Sequence, residues 1–170
     1  AAGVAIPVFS LRSKKSFGTG EFLDLKLMVD WAVLTGQKMI QTLPVNDTIL
    51  YHTNYDSYPY NAVSVYALHP LYLNPEKIGK LPSIERRNYF EEKRKELNNR
   101  TFSDYQNVMN LKWEYFREIY PLVKDKTFSS REYKQFFESN REWLVPYAAF
   151  SYLRDLYRTP DFKEWPEYSV

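Results

Sequence analysis

The sequence predicts an α/β protein that opens with two parallel strands and continues into a largely helical segment. Three observations predict it. An apolar run, an amphipathic stretch and a second apolar run follow within about forty residues, the pattern of a β-α-β unit. From Pro82 to Pro160 the hydrophobic period becomes helical, and no third strand pattern appears. Apolar residues make up 44% of the 170, enough for a core and too many for disorder.

Each element has a local reason. Gly3-Val4-Ala5-Ile6-Pro7-Val8-Phe9 is nearly continuous in apolar residues, as in a strand buried on both faces. Pro7 lacks an N–H, so it is expected at a bulge or where the ladder needs no donor. Phe17-Gly18-Thr19-Gly20 then precedes a helix. It lacks the third glycine of a dinucleotide fingerprint and the Gly-Lys-Ser/Thr of a P-loop, so a turn feeding a helix is the better account. Phe22, Leu25, Met28, Val29 and Ala32 recur at helical spacing, Leu23, Leu27, Trp31 and Leu34 widen the stripe, and Gly36 supplies a stop. Asp24 and Asp30 are expected on the solvent side of this helix. Lys38–Leu43 reads as the second strand, ended by Pro44.

Ile84–Arg100 is helix-prone and charged, so it should be well solvated. Ser103 with Gln106 predicts a capping box, followed by Val108, Leu111, Tyr115 and Ile119 on one face. Ser129 with Glu132 predicts another, with Phe128 and Tyr133 as its hydrophobic staple. A last helix is expected over about 142–157, with Pro146 in its first turns and Pro160 beyond its end. Two strands cannot cover their own edges. The chain is therefore expected to be the start of a larger α/β domain, and its edges to promote self-association.

Charge and composition exclude several classes. Basic residues number 23 against 21 acidic, a net charge of +2 that offers no attraction for nucleic acid or an anionic membrane. Cysteine is absent, which removes disulfides and thiolate metal sites. No apolar run approaches the roughly 20 residues needed to span a bilayer. The charges near the N-terminus follow the apolar stretch, the reverse of a secretory leader, so a cytoplasmic location is expected. His52 and His69 have no partner at a ligand spacing, so no metal site is expected.

The aromatic content is 18%, with 15 tyrosines, and aromatic faces suit sugar rings as well as cores. Between Asn46 and Asn74 the chain collects Asn46, Asp47, Asp56, Ser57, Tyr58 and Tyr60 after the second strand, where sites of parallel α/β proteins are built. Those groups suit a neutral polyhydroxylated ligand. They are also ordinary loop residues.

Four stretches carry a resemblance. "GVAIPVFSLRS", "FGTGEFLDLKLMVDWAVLTGQKMIQTLPVNDT", "DSYPYNAVSVYALHPLYLN" and "EWLVPYAAFSYLRDLYRTPDFKEWPE" occur in order and cover most of the chain. Together they resemble the 4-α-glucanotransferases of glycoside hydrolase family 77. The resemblance implies an incomplete (β/α)8 (TIM) barrel: residues 1–81 as its start, 82–158 as a helical insertion, and 159–170 as a lead-in to strand three. It implies retaining transfer between α-1,4-glucans such as maltose, maltodextrin and glycogen-like chains, with no cofactor. The nucleophile and acid/base carboxylates come from later strands of the family's barrel, so no catalytic residue is expected up to Val170 and the 170 residues alone should be inactive. Tyr60 corresponds to the tyrosine that stacks on sugar beside the scissile bond, with Asp56 and Ser57 next to it. Tyr58 is an extra residue in this version of the motif, Leu68-His69-Pro70 stands where commoner members have Gly-Asn-Pro, and both Tyr58 and His69 are expected among the substrate-binding residues with Asn46 and Asp47. Two other classes stay open on the residues alone: a free-standing glucan-binding module and a helical protein-interaction domain.

Overall fold

The computed structural model describes residues 2–168, so the last two positions of the expected lead-in lie outside the described residues. Strand β1 (Gly3–Ile6), helix α1 (Asp24–Leu34) and strand β2 (Met39–Thr42) come first. Helices α2 (Pro75–Ile78), α3 (Ile84–Asn98), α4 (Tyr105–Ser129) and α5 (Arg131–Tyr157) follow. The strands pair in parallel from Gly3 opposite Met39 to Ile6 opposite Thr42. The described residues are therefore α/β, with one parallel strand pair and a helical remainder. Among the described residues no helix is long and apolar enough to cross a bilayer.

The chain forms two compact units. One runs through Val45 and resumes over His69–Lys124; the other combines Asn46–Leu68 with the chain from Asp125 onward.

In the first unit the strand β1 is shorter than its apolar run. It ends at Ile6, Pro7 lies just past the ladder, and Val8 enters a 3-10 turn where it is buried. The run is apolar because Val8 packs inward, while the strand itself alternates between exposed and half-buried residues. The stripe on α1 is also open: Leu27, Trp31 and Leu34 are exposed, and Ala32 is its buried apolar residue. A sheet of two strands is too narrow to cover that face. Gly36 stops the helix with φ of +73°.

Asp24, expected toward solvent, is buried. Its Oδ2 accepts the Glu21 amide at 2.7 Å and the Ser16 hydroxyl at 2.8 Å, which pairs the buried carboxylate with two donors from the preceding turn and offsets the penalty of burial. The glycines of the preceding turn have separate reasons. Gly18 holds φ of +77°, and a Cβ on Gly20 would lie 1.9 Å from the Val8 carbonyl oxygen. The Gly18 amide goes to Asn98 Oδ1 at 3.0 Å and the Gly20 amide to the Phe9 carbonyl at 2.9 Å. These donors face protein acceptors, as a turn requires.

Val108, Leu111, Tyr115 and Ile119 of α4 are all buried, as their spacing predicts. The Tyr115 ring sits 4.8 Å from Phe90 and 6.3 Å from Phe17, joining α3 and the glycine turn into one core. The charged face of α3 is solvated, and Arg86 reaches Glu114 and Glu118 on α4 at 2.5 Å each. The cap of α4 is Asp104 rather than Ser103: Asp104 Oδ1 accepts the Asn107 amide at 3.2 Å. A carboxylate is the stronger acceptor at a positive helix end.

In the second unit α5 is one helix from Arg131 to Tyr157 that runs through Pro146, joining the helix start expected at Ser129 to the last helix expected over about 142–157. One missing N–H is a local loss, and the capped turns ahead of the proline keep the helix going. Ser130, one residue beyond the expected Ser129, caps it by accepting the Tyr133 amide. The Phe128 and Tyr133 rings meet at 4.8 Å. After Tyr157 the chain reverses at Arg158, with φ of +58°, and Trp165 packs 6.0 Å from both Phe150 and Tyr157.

The most demanding contact of the first unit is the fully buried Lys112. Its Nζ donates to Glu21 Oε1 at 2.6 Å, Leu71 O at 2.5 Å and Leu73 O at 2.8 Å, so all three protons are met. Burial pulls the lysine below its ordinary range and pushes Glu21 above its own, and the attraction between them opposes both shifts. Lys112→Met strands the carboxylate and two carbonyls, for an expected loss of about 3–5 kcal/mol. Without its cation Glu21 rises further. A raised folded pKa stabilises below the unfolded value and loses that contribution as pH rises through the folded one. The deficit of Lys112→Met relative to wild type is therefore largest at neutral pH and shrinks as pH falls through the raised folded value of Glu21 toward the unfolded carboxyl value of about 4. Urea unfolding of both proteins across that range measures it.

Candidate functional site

The loop Asn46–Leu68 is closed at its base by short pairing. Asn46 bridges Leu68 antiparallel, the Asp47 amide donates to Ala67 O at 2.9 Å, and the Val63 amide donates to Asp47 O at 2.7 Å. Further out the organiser is Asp56, which is buried. Its Oδ1 accepts the Leu50 amide at 3.2 Å, and its Oδ2 accepts the Tyr51 and Thr53 amides at 3.1 and 3.2 Å. Thr53 returns a cap to the 3-10 turn Asn54–Ser57, forming a capping box, and Thr48 Oγ1 donates to the Asp56 carbonyl. Ser57 is exposed, with its hydroxyl donating to Asn54 O at 2.7 Å.

Tyr58 and Tyr60 leave this turn and stand 61% and 59% exposed, their rings 5.6 Å apart and tilted by 54°. Tyr51, Tyr55 and Tyr66 are also exposed on the same loop. The loop thus turns its carboxylates inward and its rings outward.

Asp47 is buried as well. Its Oδ1 accepts the Ile49 amide at 3.1 Å and its Oδ2 the Tyr147 hydroxyl at 2.6 Å. Burial pushes this carboxyl above its ordinary range against those hydrogen bonds, and burial followed by the Asp47 contact raises the Tyr147 phenol. Farther along α5, Arg154 donates through Nη1 to Ile49 O and through Nε to Asp155 Oδ1 at 2.8 Å. His52 Nε2 meets the same Asp155 oxygen at 2.8 Å. Burial is the largest influence on Asp155 and raises it, yet the Arg154 and His52 hydrogen bonds leave its carboxyl below the ordinary range. Tyr66 stacks on Trp143 of α5, with centroids 5.4 Å apart.

The structure therefore gathers Asn46, Asp47, Asp56, Ser57, Tyr58 and Tyr60 in one unit. His69 belongs to the other. There it is buried, accepts the Leu71 amide on Nδ1 at 2.9 Å, and lies 3.1 Å from the Tyr105 hydroxyl through Nε2. It caps the 3-10 turn Pro70–Tyr72. Sequence reasoning missed Trp143, Tyr147 and Arg154. Their spacing of four and seven residues puts them along one face of a helix, a signal that appears once α5 is known to be continuous. Among the described residues no three His, Asp or Glu side chains cluster as a metal site would need.

Comparison with known proteins assigns the class first. Residues 6–170 match the glycoside hydrolase family 77 model, described as 4-alpha-glucanotransferase. The chain is 45% identical over 168 residues to the 4-alpha-glucanotransferase DPE2 of rice (Oryza sativa subsp. japonica), covering 99% of this chain and 18% of that protein. It is 36% and 33% identical to the 4-alpha-glucanotransferases of Chlamydia trachomatis serovar D and Chlamydia caviae, covering 96% and 97% of this chain and 30% of each relative. The chain belongs to the 4-alpha-glucanotransferase family, and it spans less than a third of the length of these relatives.

The Asp56 carboxylate should set the order of the loop. Asp56→Ala is expected to speed hydrogen exchange at the Tyr51 and Thr53 amides by about tenfold or more. Ser57→Ala, which removes one exposed hydrogen bond, should leave those two amides within about twofold of wild type.

Proposed function

We propose that this chain supplies glucan-contacting surface to a 4-α-glucanotransferase, and that the exposed pair Tyr58 and Tyr60 is the contact. The observation that carries it is the arrangement of the loop: aromatic faces turned out, carboxylates locked in, in a chain of this family. A neutral sugar offers C–H faces and hydroxyls and no charge, so rings suit it better than free carboxylates would. In this reading Tyr60 is the stacking platform and Tyr58 broadens it. Asn46, Asp47, Asp56 and Ser57 shape the loop, and His69 serves as a scaffold residue.

The parent protein would transfer α-1,4-glucan units by retaining double displacement. A carboxylate takes the glycosyl group as a second carboxyl protonates the leaving sugar oxygen; an acceptor hydroxyl then replaces water in the return step. Those carboxylates are proposed to lie in the remainder of the parent, within a (β/α)8 barrel that residues 1–81 begin, 82–158 interrupt and 159–170 resume. No cofactor takes part. The open edges of β1 and β2 would pair with strands of that barrel, or with a second copy when these 170 residues stand alone.

Titration of the chain with maltoheptaose, followed by aromatic fluorescence, tests the contact. Saturable binding is expected, weakened by about tenfold or more in Tyr60→Ala, the usual scale for a central aromatic contact. Binding unchanged by Tyr60→Ala and Tyr58→Ala would overturn it. Maltose disproportionation by the 170 residues should stay at the level of a blank.

A further inference from the structure

We infer that α5 positions the tyrosine loop, with Tyr147 and Arg154 fixing the place from which Tyr58 and Tyr60 meet their ligand. This rests on the glucan reading of the loop and assigns the residues that set its geometry.

The contacts follow a register. Trp143 takes Tyr66, Tyr147 takes Asp47, Arg154 takes the Ile49 carbonyl, and Asp155 takes His52. Both arms of the loop are thus held by one helix. Arg154 is the buried residue of α5, so the helix directs its best-protected side chain at the loop backbone. Its guanidinium presents a fixed fork, and here the fork joins a carbonyl on one side to Asp155 on the other. His52 holds φ of +56°, a conformation costly for a residue with a Cβ, which persists where its surroundings enforce it. The His52–Asp155 contact is such a restraint.

The held arm also leads directly to the rings. Leu50, Tyr51 and Thr53, next to the tethered Ile49 and His52, give their amides to Asp56. Asp56 lies in the turn Asn54–Ser57, and Tyr58 follows it. From Arg154 to Tyr58 each step is a hydrogen bond or a residue of a closed turn. A displacement at α5 therefore reaches the platform.

A residue that positions a binding surface should change KM more than kcat. The test uses the full-length enzyme, with maltoheptaose kinetics, hydrogen exchange at the Ile49 and Tyr51 amides, and thermal stability. Tyr147→Phe deletes one oxygen, and Arg154→Lys keeps the charge but loses the fork. Each is expected to raise KM by about tenfold with kcat within about twofold, and to speed exchange at those amides. Tyr60→Ala is expected to raise KM with exchange unchanged. If Tyr60→Ala raises KM but Tyr147→Phe and Arg154→Lys do not, positioning by α5 is wrong and the glucan reading stands. Faster exchange with unaltered KM in Tyr147→Phe also overturns positioning, because the tether would then be structural only. If Tyr60→Ala leaves KM unchanged, the glucan reading fails and the positioning role falls with it.

Discussion

The buried ammonium of Lys112 is the constraint on which the first unit depends. An ammonium has three protons and no lone pair, so in the interior each proton needs an acceptor. Those acceptors come from Glu21 and from the carbonyls of Leu71 and Leu73, segments far apart in the chain. Glu21 in turn accepts the Phe17 amide at 3.2 Å and the Asn74 side-chain amide at 2.7 Å. One charge thus ties the glycine turn, the chain around Pro70–Tyr72 and helix α4 to a single geometry. An apolar residue at 112 could fill the volume, but nothing apolar could hold two backbone carbonyls in place.

The same logic explains why parts of the fold were legible in the sequence and others were not. The β-α-β unit was legible because it is written locally, in two apolar runs, a helical stripe, Gly36 and Pro44. The buried face of α4 was legible for the same reason, since spacing alone puts Val108, Leu111, Tyr115 and Ile119 together. Asp24 was not. Whether a carboxylate is buried depends on which donors reach it, and Ser16 and the Glu21 amide are brought there by the turn, not by periodicity. The length of α5 was hidden by Pro146, because a proline in a helical pattern is more often an end than an interruption.

The loop shows the limit of reading chemistry from composition. Asp47 and Asp56 were legible as candidates because carboxylates and amides are the groups that bind hydroxyls. In a tight loop, however, backbone N–H groups are nearer and more numerous than any ligand, and short acidic side chains turn back to them. Asp56 meets the Leu50, Tyr51 and Thr53 amides, and Asp47 meets the Ile49 amide and the Tyr147 hydroxyl. The tyrosines carry no such local alternative. They face outward because the loop's polar demand has been met without them.

That division of labour has an energetic consequence. A loop that orders itself only when a ligand arrives loses part of the contact energy to that ordering. Here the backbone from Asp47 to Ser57 is already held, by Asp56 from within and by α5 from one side. Tyr58 and Tyr60 follow that held turn, and each ring adds two side-chain torsions, a small loss for a large flat surface. If the loop meets a glucan as proposed, a rigid backbone carrying aromatic faces would accept successive sugar rings of one chain without a dedicated hydrogen bond to each. On the proposed reading, specificity for a particular linkage would come from where the platform stands, and the helix that holds the loop would matter to recognition together with the rings it presents.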